Sequence, residues 1–416
     1  MASKYQAPRG TFDVLPADAH ARRRIEAVAA DVCARAGYEP IATPAFEDTE
    51  LFERGVGRST DIVRKEMFTF EDKGGRSITL RPEGTAPICR AYIEHGMHKL
   101  AQPVKLSYAG PFFRHERPQA GRYRQFHQIG VEAIGTDSPL ADAEAIVLLA
   151  GLFAELGVPG VELRLGSLGS AQARSEYLEE LKAYLYAHEG DLSKDVRERI
   201  EINPLRAFDA EDDGTRGVMA GAPTIVERLG GEDADHFAEV RALLEASGVA
   251  YEIDPTLVRG LDYYSRTIFS FVCDRLAAQS EIGGGGRYDG LIEQLGGPPT
   301  PAIGWATGIE RILLALGDEQ APQAPRVFVA HTAGSAKSAQ MAVALVEELR
   351  RGGLSAELDL AGRSIKGQFK HANRIGADLV VVLGEEGGAE LRDMQSGEQE
   401  SVSPDGLVAE IERRRA

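Results

Sequence analysis

Cysteine is scarce in this 416-residue sequence, and the three that occur, Cys33, Cys89 and Cys273, lie far apart. Neither they nor the histidines show the spacing of a metal site, so we predict no protein-bound structural metal. We expect the cysteines to be small buried side chains in a reducing compartment.

Long hydrophobic runs are also missing. No apolar stretch approaches the roughly 18 residues that a membrane-spanning helix needs, and the first residues, MASKYQAPR, contain no hydrophobic signal core. We therefore expect a cytoplasmic protein with no membrane association. At 43% hydrophobic and 27% charged residues the composition is typical of a globular chain, and the length predicts two or three domains.

Positive charge is in deficit, with a formal net charge of −17. Such a charge argues weakly against nucleic-acid binding, because neutralisation of phosphates dominates that affinity. The charge is unevenly spread, however: residues 114–124 contain four arginines and one glutamate, whereas residues 167–250 contain nine Lys or Arg against eighteen Asp or Glu. The composition therefore neither shows nor excludes a local basic face for a nucleic acid.

The patterning changes twice along the chain. Residues 1–166 predict helices at 19–36 and 87–95 and strands at 41–44, 104–113 and 126–134, the last two as an antiparallel pair. An acidic helical insertion follows at about 167–250, and strand-like chain resumes at 251–254 and 257–273. After a proline-bearing linker at 318–325, residues 326–416 alternate strand and helix, which predicts a small, mostly parallel sheet.

Four polar side chains fall on two neighbouring segments. Arg114 and Glu116 share one face at the strand period of two, and Gln128 and Glu132 share a face on the returning strand. An arginine can bind a phosphate and a carboxylate can accept from an amino group. A surface ion pair would explain Arg114 and Glu116 alone, but a half-buried sheet does not usually hold four such groups.

Further candidates are ambiguous when taken singly. Glu83 and Thr85 suit an amino group or, equally, an ordinary helix start that Thr85 caps. Arg259 needs an anionic partner, either Asp262 or a bound phosphate, and the neighbouring tyrosines suit a core as well as a site. Arg311, near a helix start, fits a phosphate contact or simple exposure. Gly283–Gly286 lacks a P-loop ending and predicts close approach of a ligand or a neighbouring strand.

Together these segments resemble class II aminoacyl-tRNA synthetases, and specifically the histidyl-tRNA synthetase family. Pro44, Phe113–Glu116 and Gly308–Arg311 match the three class motifs, and the amino acid is indicated by Arg9–Asp13, Gly121–Gln128 and Arg259–Tyr264. Gly284 and Trp305 depart slightly from the family's usual residues.

The resemblance implies an α+β protein: a class II antiparallel-sheet catalytic domain at 1–325, with the insertion at about 167–250, and an α/β anticodon-binding domain at 326–416. It implies a homodimer that ligates histidine to tRNA(His) through a histidyl-adenylate, with ATP and Mg²⁺. The implied histidine-binding residues are Glu83, Thr85, Gln128, Glu132, Tyr263 and Tyr264. The implied ATP-binding residues are Arg114, Glu116, Arg122 and Arg311, and the implied catalytic residues are Arg259 and Arg114.

Two other readings remain open at this point. The regulatory subunit of ATP phosphoribosyltransferase resembles these synthetases but typically lacks the C-terminal module and has degraded motifs. A synthetase-like accessory protein would have an inactive site. The intact arginines and the presence of residues 326–416 favour the synthetase.

Overall fold

The computed structural model describes residues 5–58, 60–276, 280–317, 326–384, 388–403 and 406–415. The chain divides into two compact units, Met1–Glu319 and Gln320–Ala416. The linker expected at 318–325 lies outside the described residues, so the domain boundary stays a prediction. Among the helices that are described, none combines the length and apolar character needed to cross a membrane.

The first unit mixes helices with a large sheet. Its α-helices are α1 (Pro16–Arg35), α2 (Thr49–Gly55), α3 (Thr85–Glu94), α4 (Pro139–Leu156), α5 (Ala171–Ala187), α6 (Lys194–Arg197), α7 (Asp213–Met219), α8 (Ile225–Arg228), α9 (Gly231–Ala246), α10 (Leu291–Gln294) and α11 (Ile309–Leu316). Its strands are β1 (Glu39–Pro40), β2 (Phe46–Asp48), β3 (Phe68–Glu71), β4 (Ser77–Leu80), β5 (Val104–Phe113), β6 (Gln125–Ile134), β7 (Val161–Ser167), β8 (Glu252–Ile253), β9 (Ser265–Cys273), β10 (Glu281–Arg287) and β11 (Ala302–Gly308). A π-helical turn covers Ile62–Glu66, and 3-10 turns cover Met97–Lys99, Glu189–Asp191 and Pro204–Asp209.

Eight of these strands form one sheet in the order β1-β5-β6-β11-β10-β9-β7-β8. The outermost pairs are parallel, and the inner neighbours are antiparallel. The β5–β6 pairing runs from Val104 opposite Ile134 to Phe113 opposite Gln125, which confirms the predicted antiparallel pair. The main apolar core includes residues of α1, α4, α9 and α11 together with inward side chains of this sheet.

The glycine run lies at the centre of the sheet, on β10. A Cβ on Gly285 would come 2.0 Å from the carbonyl oxygen of Gly304, and one on Gly284 would come 2.6 Å from that of Phe269. Side chains at these positions would collide with the backbones of neighbouring strands. The predicted close approach of a neighbouring strand is confirmed.

Two predicted strands are wrong in part. β1 ends at Pro40, and residues 41–44 are irregular because the Arg81 guanidinium donates to the carbonyl and hydroxyl oxygens of Thr43, at 2.9 and 3.1 Å. Residues 257–264 form a loop rather than the start of a strand, and β9 begins only at Ser265. The apolar side chains of this loop pack against the insertion instead of alternating across a sheet.

The second unit contains β12 (Arg326–His331), α12 (Ala336–Arg351), β13 (Ser355–Leu358), α13 (Ile365–Arg374), β14 (Leu379–Leu383), β15 (Ala389–Asp393), β16 (Gln399–Val402) and α14 (Leu407–Arg415). Its sheet order is β13-β12-β14-β15-β16. The first three strands are parallel, as the strand–helix alternation predicted. The antiparallel β15 and β16 and the final helix were not predicted from the sequence.

Candidate active site

A pocket of about 520 Å³ opens on the large sheet of the first unit. Nine of the predicted site residues line it: Glu83, Thr85, Arg114, Glu116, Arg122, Gln128, Arg259, Tyr263 and Tyr264. Arg311 lines an adjoining cavity of about 500 Å³, which shares Arg114, Glu116, Arg122 and Gln128 with the first. Glu132 is fully buried and lies behind the pocket wall. The structure thus brings together residues that are up to 228 positions apart in the chain.

Glu83 caps helix α3. Its carboxylate accepts hydrogen bonds from the backbone N–H groups of Thr85 and Ala86, at 2.7 and 2.9 Å. The capping role that the sequence suggested for Thr85 therefore belongs to Glu83, while the Thr85 hydroxyl donates to Glu132 at 2.8 Å. Burial raises the pKa of Glu83. The Tyr263 hydroxyl lies 3.5 Å from the same carboxylate and can donate to it.

Glu132 provides a second buried carboxyl group in addition to that of Glu83. It accepts from the Thr85 hydroxyl through one oxygen and from the Tyr288 hydroxyl, at 2.5 Å, through the other. Burial raises its pKa to about 8, although these two donors work in the opposite direction. A Cβ on Gly304, on the neighbouring strand, would lie 1.8 Å from the Glu132 carboxyl, so only glycine leaves it room.

Arginines dominate another part of the pocket. The Nε atom of Arg114 donates to the carbonyl of Pro82 at 2.9 Å, and its guanidinium lies 5.4 Å from the centre of the Phe126 ring. Glu116 lies between two cations, 3.8 Å from Arg114 and 3.2 Å from Arg122. The guanidinium of Arg114 is therefore held in place by backbone and ring contacts while its charge remains available to the pocket.

Glu281 tethers two further arginines at the start of β10. Its carboxylate accepts from Arg259 at 2.6 Å, and its backbone carbonyl accepts from Arg311. Burial alone would raise the pKa of Glu281, but the charge and hydrogen bond of Arg259 hold it below its ordinary value. The Arg259 guanidinium also lies 5.9 Å from the centre of the Tyr264 ring.

Sequence reasoning missed several residues of the site. Glu281 gave no signal, and Tyr288 was passed over although it follows the glycine run. Glu310 stands beside Arg311 in its motif; its carboxylate accepts from the backbone N–H of His127 at 3.0 and 3.1 Å and lies 2.8 Å from the His127 ring nitrogen. This contact joins the start of α11 to strand β6.

The pocket thus offers buried carboxyl and hydroxyl groups on one side and arginines on the other. Carboxylates suit an ammonium group or ring N–H of a small ligand, and arginines suit a polyphosphate. Within the described ranges, no group of three or more His, Cys, Asp or Glu residues comes together as a metal centre would require.

Comparison with known families gives two matches. Residues 10–312 match the family described as histidyl-tRNA synthetase. Residues 326–414 match the family described as anticodon binding domain.

Individual relatives match over nearly the whole chain. It is 50% identical over 415 residues to the histidine–tRNA ligase of Anaeromyxobacter dehalogenans, covering 98% of this chain and 99% of the relative. It is 45% identical over 414 residues to that of Thermosynechococcus vestitus, covering 99% and 97%. The crystal structure of apo histidyl-tRNA synthetase from S. aureus superposes with a TM-score of 0.81 at 38% identity, covering 98% of this chain and 99% of that one.

Proposed function

Because the chain belongs to the histidyl-tRNA synthetase family, we infer that it is a ligase that joins histidine to tRNA in an ATP-dependent reaction. The histidine carboxylate attacks the α-phosphorus of ATP, forming histidyl-adenylate and releasing pyrophosphate. The 3′-terminal ribose of tRNA then accepts the histidyl group and AMP leaves. The observation that carries the proposal is the single pocket that combines buried carboxyls with a set of arginines.

We propose that histidine binds at the carboxyl side. Glu83 and Thr85 hold the α-amino group, and Gln128 orients the ligand. The imidazole lies toward Glu132, Tyr263 and Tyr264, where a carboxyl acceptor and hydroxyl groups can satisfy both ring nitrogens. The amide oxygen of Gln128 supports this assignment, because it is buried without a hydrogen-bond partner.

ATP binds at the arginine side in this proposal. Arg114 and Arg259 contact the α-phosphate, Glu116 accepts from the adenine amino group, and Arg122 and Arg311 contact the remaining phosphates. Fixed cations that face the developing charge lower the barrier without reorganisation. Mg²⁺ accompanies ATP when bound and neutralises phosphate charge; the carboxylates of Glu116 and Glu281, which line the pocket, are oxygen ligands of the kind it prefers.

The second unit is proposed to bind the anticodon of tRNA(His). Its match to an anticodon-binding family supports this assignment. Because ATP and tRNA are substrates, we propose a cytoplasmic enzyme.

We further propose a homodimer. Pro44 occupies the position of the family's interface motif, and two large apolar side chains nearby, Phe46 and Phe70, are 53% and 48% exposed on the small β2-β4-β3 sheet. Sedimentation equilibrium tests this, and a monomer at micromolar concentration would contradict it.

Histidine-dependent exchange of pyrophosphate into ATP tests the activation step, with the other nineteen amino acids as controls. Exchange with histidine alone, followed by charging of bulk tRNA, is the expected result. Histidine binding without exchange would contradict the proposal and favour a regulatory subunit of ATP phosphoribosyltransferase.

A further inference from the structure

The loop at residues 257–264 carries three of the proposed site residues, Arg259, Tyr263 and Tyr264, yet it lies outside the sheet. Its backbone N–H groups donate few backbone hydrogen bonds. The N–H of Leu257 donates to the carbonyl of Asp254 at 3.3 Å, and that of Asp262 donates to the carbonyl of Val56 at 3.2 Å. Regular strand pairing begins only with β9. Something other than the sheet must fix the loop.

Arg174, on helix α5 of the insertion, reaches this loop. Its Nη1 atom donates to the backbone carbonyl oxygens of both Asp262 and Tyr264, each at 3.0 Å. These two carbonyls flank Tyr263. Hydrogen bonds from a charged donor are roughly twice as strong as neutral ones. One side chain thus fixes the backbone on both sides of a proposed histidine-binding residue.

Two other contacts join the insertion to the loop. Asn203 donates to the side chain of Asp262 at 3.4 Å. The apolar side chains of the loop pack with the insertion's own core, which includes Tyr177 and Leu181. Loop members of this cluster are Leu257, Val258, Leu261, Tyr263 and Tyr264.

We propose that the insertion, residues 167–250, positions the catalytic loop at 257–264, and that Arg174 is the positioning residue. The proposal rests on the function assigned above and gives a catalytic task to a segment to which the sequence assigned none. A displacement of about 1 Å in a reacting group can cost on the order of 100-fold in rate. Because Arg114, Glu116 and Arg311 lie on other segments, most of the proposed ATP contacts remain when the Arg174 contacts are lost. The loss acts on histidine and on the α-phosphate contact of Arg259, and therefore mainly on the chemical step.

Replacement of Arg174 by methionine, which keeps much of the volume and removes the donor, tests the proposal in the full-length protein. In histidine-dependent exchange we expect kcat to fall roughly 30- to 100-fold and KM for histidine to rise, with KM for ATP within about twofold of wild type. R174K restores a donor and should recover part of kcat. The matched control is R228M, since Arg228 pairs with Glu180 on an exposed face of the same insertion; it should retain wild-type values.

A double-mutant comparison separates positioning from general destabilisation. If Arg174 acts by placing the loop that carries Arg259, then R174M should add little to the loss caused by R259H. If the kcat losses of R174M and R259H multiply in the double mutant, the two residues act independently and the proposal is overturned.

Amide hydrogen exchange measures the protection of the loop backbone directly, and it does not depend on an activity assay. R174M should accelerate exchange in peptides spanning 257–264, including the Asp262 amide, and leave those spanning β6 unchanged. Unchanged exchange at 257–264, or an equal increase throughout the first unit, would overturn the proposal. If the wild-type protein shows no histidine-dependent exchange of pyrophosphate into ATP, the assigned function fails. The hydrogen-exchange result still decides whether Arg174 anchors the loop.

Discussion

Replacing the buried Glu132 by glutamine should stabilise the protein in a pH-dependent way. The carboxyl is fully buried, and its folded-state pKa of about 8 lies above the ordinary value of 4.5. Below pH 4.5 the group is protonated in both the folded and the unfolded states and makes no difference. As pH rises from 4.5 to 8 only the unfolded state releases the proton, so wild-type stability falls through that window and the full cost remains above it.

The size of the effect follows from the pKa. Each unit by which folding raises the pKa corresponds to about 1.4 kcal/mol. The rise from 4.5 to about 8 therefore means that ionising Glu132 in the folded state costs on the order of 5 kcal/mol at pH 9. Glutamine has nearly the same shape and never ionises. E132Q should therefore match wild type near pH 4.5 and exceed its free energy of unfolding by several kcal/mol at pH 9.

Denaturant unfolding followed by tryptophan fluorescence measures this difference. Trp305 is the single tryptophan of the chain and is buried. It lies on β11 opposite Val131 of β6, the residue that precedes Glu132, so its emission reports on the first unit. E144Q is the control, because it makes the same change at a partly exposed carboxylate that pairs with Lys105. A difference between E132Q and wild type that is constant from pH 5 to pH 9 would refute the reasoning.

The same substitution should weaken histidine recognition. At pH 9, above the folded-state pKa of about 8, the carboxyl of Glu132 is ionised. Loss of its charge-assisted contact at that pH costs about 1.5–3 kcal/mol, or roughly 10- to 100-fold in kcat/KM for histidine in the exchange assay. A stabilised protein with weaker substrate use would show that the site keeps Glu132 for binding at the expense of stability.

Three further outcomes are expected. R259H should lower kcat of pyrophosphate exchange by roughly 100- to 1,000-fold because it removes a fixed cation at the α-phosphate; wild-type rates in a folded variant would contradict this. G304A should abolish histidine binding, measured by calorimetry, because its Cβ would come 1.8 Å from the Glu132 carboxyl, and unchanged affinity would count against that packing. E310A should lower the free energy of unfolding by about 1–3 kcal/mol, measured by denaturant titration, because it leaves the buried N–H of His127 unpaired; an unchanged midpoint would disagree.

Short-range patterns predicted most of the regular structure. Strands β5 and β6 were predicted to within one residue at each end, because their apolar periodicity agrees with their burial. The loop at 257–264 was misread as strand, since its apolar residues pack on a segment some 80 residues away in sequence. No local pattern contains that partner.

The site divides in the same way. Arg114 was found because it shares a face with Glu116 at the strand period, and Gln128 because it shares a face with Glu132 on the returning strand. The motif resemblance supplied the roles of Arg259 and Arg311. Glu281 could not be found: an acidic residue at a strand start is common, and its importance arises only when a distant loop and a distant helix bring two arginines to it.

Glu281 also bears on turnover. It accepts hydrogen bonds from Arg259 through its carboxylate and from Arg311 through its backbone carbonyl, so an incoming triphosphate must compete with Glu281 for both arginines. The affinity gained is the difference between two ion pairs. When the α-phosphate leaves with AMP after transfer to tRNA, it is replaced at Arg259 by a carboxylate that is already in place. Such an exchange of partners limits how tightly AMP is retained, and it favours a site that empties quickly after each histidyl group is transferred.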